Sequence, residues 1–185
     1  MKANTKFVVA GVAIVALLVA IGGFVIKYTA SPAEAQSVEV RSSGTPVSKL
    51  SPDAARAAVS KQVGFEVKYP ASVPDSLRLD GINAELGPEG VSNPLKMATL
   101  FYVPKDDAKR GSGVQISETG TRFQPAGGSQ PFDLGVPGVD AYTASTDRAT
   151  AYSVFTRDRG FLILVSGPDV PDVSALREMM ASLVR

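Results

Sequence analysis

Hydrophobic positions follow three successive patterns along the chain. Residues 7–26 form an unbroken apolar run, residues 51–63 repeat apolar side chains at helical spacing, and the chain beyond Leu77 shows short alternating or wholly apolar segments. A long apolar run is typical of a membrane-spanning helix, helical spacing of an amphipathic helix, and short alternating segments of strands. The order predicts an apolar helix, a tether and one folded domain.

The apolar run predicts a membrane anchor. Its twenty residues carry no charge, and at 1.5 Å per residue they would span about 30 Å, the thickness of a hydrocarbon core. Lys2 and Lys6 precede the run, and Lys27 and Tyr28 follow it, where long cations and aromatic rings favour the interface. The positive-inside rule predicts a single-pass protein of the cell membrane with a cytoplasmic N-terminus and an extracytoplasmic domain.

The alternative fate of this segment is removal as a signal peptide. Ala33-Glu34-Ala35, followed by Gln36, has the small-x-small form of a signal-peptidase site, so cleavage after Ala35 stays open. The apolar run exceeds the usual length for a signal peptide, which favours retention as an anchor. Residues 1–27 are therefore assigned to the anchor. Residues 28–50, rich in Ser, Pro, Ala and Gly, are assigned to a flexible tether.

The domain, residues 51–185, is expected to open with a helix from about Pro52 to Gln62. Ser51 is a favoured N-cap, and Asp53 suits the positive end of the helix. Gly64 is a plausible stop. The apolar stripe that should face the core comprises Ala54, Ala55, Ala58, Val59 and Gln62.

About six strands are expected next. Lys96–Val103 and Phe161–Ser166 are apolar on both faces and should be central. Pro137-Gly138 predicts a type II turn, and Arg157–Gly160 predicts a tight turn with Gly160 as a left-handed residue. The predicted strands are a segment around Leu77–Ile82, then Lys96–Val103, Val114–Glu118, Phe132–Val136, Val139–Ser145, Thr150–Thr156 and Phe161–Ser166.

A helix is expected to close the domain over Asp172–Leu183, with Asp172 as its cap. Spacing of three and four should place one set of residues against the sheet, namely Val173, Leu176, Met179, Met180 and Leu183. The whole pattern predicts an α+β fold in which an antiparallel, curved sheet carries an N-terminal and a C-terminal helix on one face.

Composition narrows the chemistry that this domain can perform. The chain contains neither His nor Cys, which removes the commonest general base, the thiol nucleophile and disulfides. The 19 Lys and Arg residues nearly balance the 18 Asp and Glu residues, so no basic field for nucleic acid is expected. We expect no catalytic residues, no cofactor and no metal site.

Short motifs of the domain occur in the order of those in a known bacterial family. They are Val63–Val67, Pro70–Pro74, Leu77–Leu79, Ala98–Tyr102, Val136–Ala141, Phe161–Gly167 and Met179–Leu183. This series resembles a family of extracytoplasmic domains of unknown function, found in surface proteins, lipoproteins and anti-sigma-factor-like proteins. The resemblance covers roughly residues 50–185. It implies a sensor-like or ligand-binding envelope domain and supplies no catalytic residues.

Strands that are apolar on both faces favour a binding function. Either protein covers both faces of these strands, or an apolar pocket lies between the sheet and the last helix. Our hypothesis is such a pocket, lined by Phe101, Tyr152 and Leu164, with Met179 or Met180 as an adaptable wall. The predicted function is a non-catalytic, membrane-anchored binding or sensory domain. The alternative is an accessory or structural subunit of a membrane or envelope complex. Expected partners are the bilayer, through residues 7–26, and a protein or an apolar ligand.

Overall fold

A computed structural model describes residues 38–42, 45–86, 96–106, 111–125 and 127–185. The predicted anchor over residues 7–26 and the predicted cleavage site after Ala35 lie outside these residues. Within the described part of the chain, every helix is too short or too polar to span a membrane.

The described residues form one sheet with two helices, so the predicted α+β class is confirmed. The sheet order is β2-β1-β3-β4-β5-β9-β8-β7-β6, and the seven strands from β3 to β6 pair antiparallel. The elements are β1 (Val38–Ser42), β2 (Thr45–Leu50), α1 (Pro52–Val63), β3 (Leu77–Leu86), β4 (Lys96–Pro104), β5 (Gly113–Thr119), β6 (Gln130–Pro131), β7 (Asp140–Ser145), β8 (Ala149–Phe155), β9 (Gly160–Ser166) and α2 (Val173–Val184).

Helix α1 begins and ends where the sequence predicts. The Ser51 hydroxyl accepts a hydrogen bond from the Ala54 N–H at 3.4 Å, and Gly64 has φ 78° and donates to the Ser60 carbonyl at 2.9 Å. The predicted apolar stripe is wrong at Ala54, which is exposed. The buried residues of α1 are Ala55, Val59 and Val63. They are spaced by four, so they lie on one face of the helix, and this face packs on the sheet.

Strands β1 and β2 occupy a region for which the sequence predicts a tether. β1 pairs in parallel with β3, from Glu39 opposite Gly81 to Ser42 opposite Ala84, and antiparallel with β2. Residues 38–42 and 45–50 thus lie in strands, where the sequence predicts a flexible tether. The backbone groups at the edge of β3 favour an added strand whatever its side chains are, so composition does not reveal this pairing.

The strand predicted over Phe132–Val136 is also wrong. The ladder beside β7 ends after the Phe132 N–H donates to the Ala141 carbonyl at 2.8 Å. The Asp133 carboxylate then accepts from the Gly135 N–H at 2.8 Å, and Gly135 has φ 71°. This local turn competes with strand pairing. The turn predicted at Pro137-Gly138 is present, with Gly138 at φ 74°.

Helix α2 is capped as predicted, because the Asp172 carboxylate accepts from the Ala175 N–H at 2.9 Å. Its buried residues are Leu176, Met179, Met180, Ala181 and Leu183. Val173 was expected on the same face, but it is 52% exposed. Val173 lies on the same side of α2 as Met180 but two turns earlier, and the first turn of the helix extends beyond the core.

One face of the sheet carries the hydrophobic core, and we call it the core face. The buried residues of both helices belong to a single cluster with the core-face residues. Those residues include Ile82, Ala84, Ala98, Leu100, Tyr102, Val114, Ile116, Ala141, Tyr152, Val154, Phe161, Ile163 and Val165. Both helices therefore lie on one side, as the sequence predicts, and we call the opposite side the outer face.

The strand assignment of residues 38–50 can be tested by shortening the chain. A chain of residues 51–185 is expected to unfold at lower urea concentration than one of residues 38–185, and with a smaller m-value, because it lacks the β1–β3 ladder and the cover that β1 and β2 give α1. A chain of residues 28–185 serves as the control and should match 38–185. Equal midpoints for all three would contradict the assignment.

Candidate functional site

The centre of the outer face consists of two rows of uncharged residues that cross five strands. The pairing register from β4 through β5, β9 and β8 to β7 defines them. The first row is Phe101, Gln115, Leu164, Ala151 and Ala144, and the second row is Thr99, Ser117, Leu162, Ser153 and Tyr142. The solvated face of an antiparallel sheet ordinarily carries charged and polar side chains, whereas this block has no charged residue and five apolar ones, so it is the candidate binding surface.

Large side chains stand above small ones within these central rows. Phe101, Leu162 and Leu164 are partly exposed, whereas Thr99 and Ser117 are buried between their neighbours. The hydroxyl oxygens of Thr99 and Ser117 lie 3.1 Å apart and share a hydrogen bond. Because these hydroxyls satisfy one another, removing water from the face leaves few polar groups without a partner.

Charged residues are confined to the border of the outer face. Arg78 and Glu85 lie on β3, opposite Val103 and Met97 of β4. Glu85 is partly buried at this edge, and its burial raises the pKa of the carboxyl above the ordinary value. The central rows are thus framed by charge and contain none.

A segment over residues 120–125 crosses one end of the outer face. The Phe123 ring meets the Phe155 ring edge-on at 4.8 Å between centroids. The Arg122 guanidinium lies 5.4 Å from the Phe155 centroid and contacts the Asp140 carboxylate at 2.6 Å. A Cβ at Gly160 would lie 2.6 Å from the Phe123 ring. Gly160 does not have positive φ, so the left-handed conformation predicted for it is wrong. Glycine is required there for another reason, which is to make room for the Phe123 ring.

The five residues predicted to line one pocket lie on two sides of the sheet. Phe101 and Leu164 are on the outer face, whereas Tyr152 pairs with Ile163 on the core face. Met179 and Met180 are each 1% exposed and fill the core. Ala151, the neighbour of Tyr152 on β8, pairs with Leu164 on the outer face. Because successive residues of a strand point to opposite faces, Tyr152 cannot share that surface. The structure brings Phe101 and Leu164 together, and it separates them from the other three.

Aromatic packing occupies the place where the pocket was expected. The Phe132 ring meets the Tyr152 ring edge-on at 5.0 Å, and the Arg177 guanidinium of α2 lies 5.2 Å from the Phe132 centroid. These contacts fill the space between β8 and the helix. The candidate site therefore lies on the outer face.

Glu118 is the one charged residue among the described residues that is buried. It pairs with Ala98 and Phe161 on the core face and is 0% exposed. The Arg159 guanidinium donates to one carboxylate oxygen, and the Lys68 N–H donates to the other at 2.7 Å. Both oxygens are thus occupied by donors of the fold itself.

Through Glu118, the segment that follows α1 is fastened to the sheet. The Arg159 guanidinium also donates to the Glu66 carbonyl at 2.6 Å and lies 5.8 Å from the Phe65 centroid. Burial raises the pKa of Glu118, and the hydrogen bonds from Lys68 and Arg159 partly offset that shift. The arrangement is that of a structural ion pair, since removal of one partner would leave a charge without compensation.

Sequence reasoning missed both Glu118 and the uncharged central rows. A signal for Glu118 exists, since it is in phase with Val114 and Ile116 on a strand whose apolar residues face the core. The central rows become visible only when the strand order is known, because their members come from five separate segments of the chain.

Comparisons with protein-family models, curated proteins and solved structures gave no match to this chain. The resemblance to an extracytoplasmic family of unknown function stays a prediction, and the geometry of the outer face carries the functional argument.

The burial of Glu118 predicts a defined pH dependence of stability. A carboxyl whose pKa is raised by folding stabilises the fold fully below its ordinary pKa of 4.5, and that contribution is lost as the pH rises through the raised value. The unfolding free energy of the wild type should therefore fall relative to Glu118→Gln as the pH rises above about 4.5. Urea denaturation of both chains across this range measures the difference.

Arg159→Met is the control for this pH dependence. It removes a cation that holds the pKa of Glu118 down, so the decline of stability with pH should become steeper and extend further. A wild type that instead gains stability over Glu118→Gln as the pH rises would show that its ion pair outweighs its burial.

The close approach at Gly160 predicts a position-specific cost. Gly160→Ala should lower the unfolding free energy by about 1–3 kcal/mol, because the new methyl group displaces the Phe123 ring. Gly127→Ala is the matched control, since a Cβ there meets no atom within 4 Å and Gly127 does not have positive φ. Equal urea midpoints for the two variants would refute the role assigned to Gly160.

Proposed function

We propose that this protein is a membrane-anchored, extracytoplasmic binding or sensory domain without catalytic activity, and that it binds its partner through the outer face. The apolar run over residues 7–26 supports the anchor, and the lysines at its N-terminal side support an extracytoplasmic domain. The partner-binding role rests on the uncharged centre of the outer face.

The carrying observation is the contrast between the centre and the border of that face. Ten central positions lack charge, and Phe101, Leu162 and Leu164 remain partly exposed within them. The charges of Arg78, Glu85 and the Arg122–Asp140 pair lie outside the block. Depletion of charge at the centre, with charged residues at the rim, is the usual composition of a protein-binding surface.

The breadth of the outer face, whose central rows cross five strands, also supports the second candidate function, that of an accessory subunit of a membrane or envelope complex. Small ligands favour concave sites that bury most of their surface, whereas protein partners bind flatter surfaces. The outer face is built from adjacent strands and fits a protein partner better than a small molecule. In this second role, the bound partner would be a permanent component of the complex.

The proposal is tested on the full chain in membranes by Leu164→Glu. This variant places a charge at the centre of the outer face and should abolish partner binding while leaving the circular dichroism spectrum unchanged. Val173→Glu is the matched control, because Val173 is an exposed hydrophobic residue on α2 and should retain the partner. Species that co-migrate after mild detergent extraction are measured by native mass spectrometry. A sensory domain should release its partner on dilution, and a subunit should not.

The location is tested separately by adding protease to intact spheroplasts. The domain should be degraded without lysis, because the anchor places it outside. Protection of the domain until lysis would refute the proposed orientation.

The outcome that refutes the outer face as the binding surface belongs to the other experiment. It is a Leu164→Glu variant that binds the partner as well as the wild type does.

A further inference from the structure

We infer that the partner bound by the outer face is a second copy of this chain, related by a two-fold axis that lies in the plane of the face and runs across the strands. This inference rests on the proposed function, since it takes the outer face as the binding surface. The arguments come from the shape of the central rows, the border charges, the available area and the position at which the described chain begins.

Large and small residues alternate between the two central rows on β4 and β7, the outermost strands of the block. On β4 the large Phe101 stands beside the small Thr99, and on β7 the large Tyr142 stands beside Ala144. A two-fold axis across the strands, midway between the rows, exchanges the rows of the two copies. On these two strands each large residue then faces a small residue of the second copy, as interdigitation of two faces requires. On β9, between them, Leu164 meets Leu162 of the second copy in an apolar contact.

At the end of the outer face that residues 120–125 cover, large residues again face small residues of the second copy. Phe123 and Phe155 rise at one end of β8 and β9, whereas the other end of these strands carries Ala149 and Ser166, which pair directly. The same axis places the aromatic end of one copy over the small end of the other. The axis therefore avoids a collision between the two raised ends.

The border charges favour the same axis. Arg78 and Glu85 lie at opposite ends of the outer face of β3, and exchange of the ends brings Arg78 of each copy to Glu85 of the other. An axis parallel to the strands would instead bring Glu85 toward the Arg122–Asp140 pair of the second copy, whose charges already offset one another. Charge complementarity thus selects one arrangement of the two faces.

The area is sufficient for a specific contact. Five strands spaced by about 4.8 Å and about 20 Å of length along them give a patch of roughly 480 Å² per copy. Two such patches remove on the order of 1,000 Å² of surface from water, which is the lower range for a specific interface. Association in one membrane raises the effective concentration and makes an interface of this size sufficient.

The location of β1 allows the anchors of both copies to enter one membrane. Ten residues, 28–37, separate Lys27 from β1, and they reach at most about 36 Å. β1 lies beyond β3 at one side of the sheet. An axis across the strands keeps this side of both copies at the same end, so both anchors can enter one bilayer.

The test measures the oligomeric state of the full chain in mild detergent by native mass spectrometry and sedimentation. The wild type should be a dimer. Leu162→Asp should raise its dissociation constant by at least about tenfold without altering its circular dichroism, and Val173→Asp, the matched control, should remain dimeric. Because Leu162→Asp leaves residues 7–26 unchanged, pairing of the anchors alone would survive it. A monomeric wild type, or a dimer that Leu162→Asp leaves intact, overturns the inference.

Charge reversal tests the axis itself. Arg78→Glu and Glu85→Arg should each weaken self-association, since each brings like charges together. A mixture of the two variants, carrying different tags, should form heterodimers in preference to either homodimer. Homodimers in equal or greater amount would overturn this arrangement.

The outcomes separate the inference from the proposed function. A monomeric wild type that captures another molecule, and loses it in Leu164→Glu, would overturn the dimer and leave the binding function intact. Protection of the domain in intact spheroplasts would overturn the proposed location whether or not the chain is a dimer.

Discussion

The pleat of the sheet is the constraint on which the rest of this structure depends. Each strand must divide its residues between two faces, and the two helices cover one of them. The core face therefore takes the branched aliphatic residues such as Leu100 and Ile163, while the outer face takes every second residue between them. The outer face is not constrained by this core, and its central rows nevertheless contain no charge.

The same constraint gives Glu118 its importance. A carboxylate in phase with Val114 and Ile116 must enter the core, and it is tolerated because two donors from separate parts of the chain meet it there. Arg159 comes from the turn between β8 and β9, and Lys68 from the segment after α1. One buried charge thereby links elements that are distant in sequence, at the end of the core face.

In the proposed orientation, the position of β1 sets how close the domain lies to the membrane. Because residues 38–42 and 45–50 extend the sheet, only residues 28–37 separate it from the apolar segment and its flanking Lys27, and the domain would lie close to the bilayer in the proposed orientation. A partner at the outer face would then be another membrane-associated molecule. The large and small residues of the central rows, together with Arg78 and Glu85, favour a second copy of the chain in that position.

Local interactions explain what the sequence determined by itself. The Ser51 and Asp172 caps, the Gly64 stop, the turn at Pro137-Gly138 and the helical spacing of α2 depend on neighbouring residues and were all predicted. The α+β class followed from the order of these elements. Tertiary structure alone decided the pairing of β1, the glycine required beneath Phe123, the donors of Glu118 and the separation of Tyr152 from Leu164. Each of these depends on which strands are neighbours, and long-range backbone pairing leaves no periodic trace in the sequence.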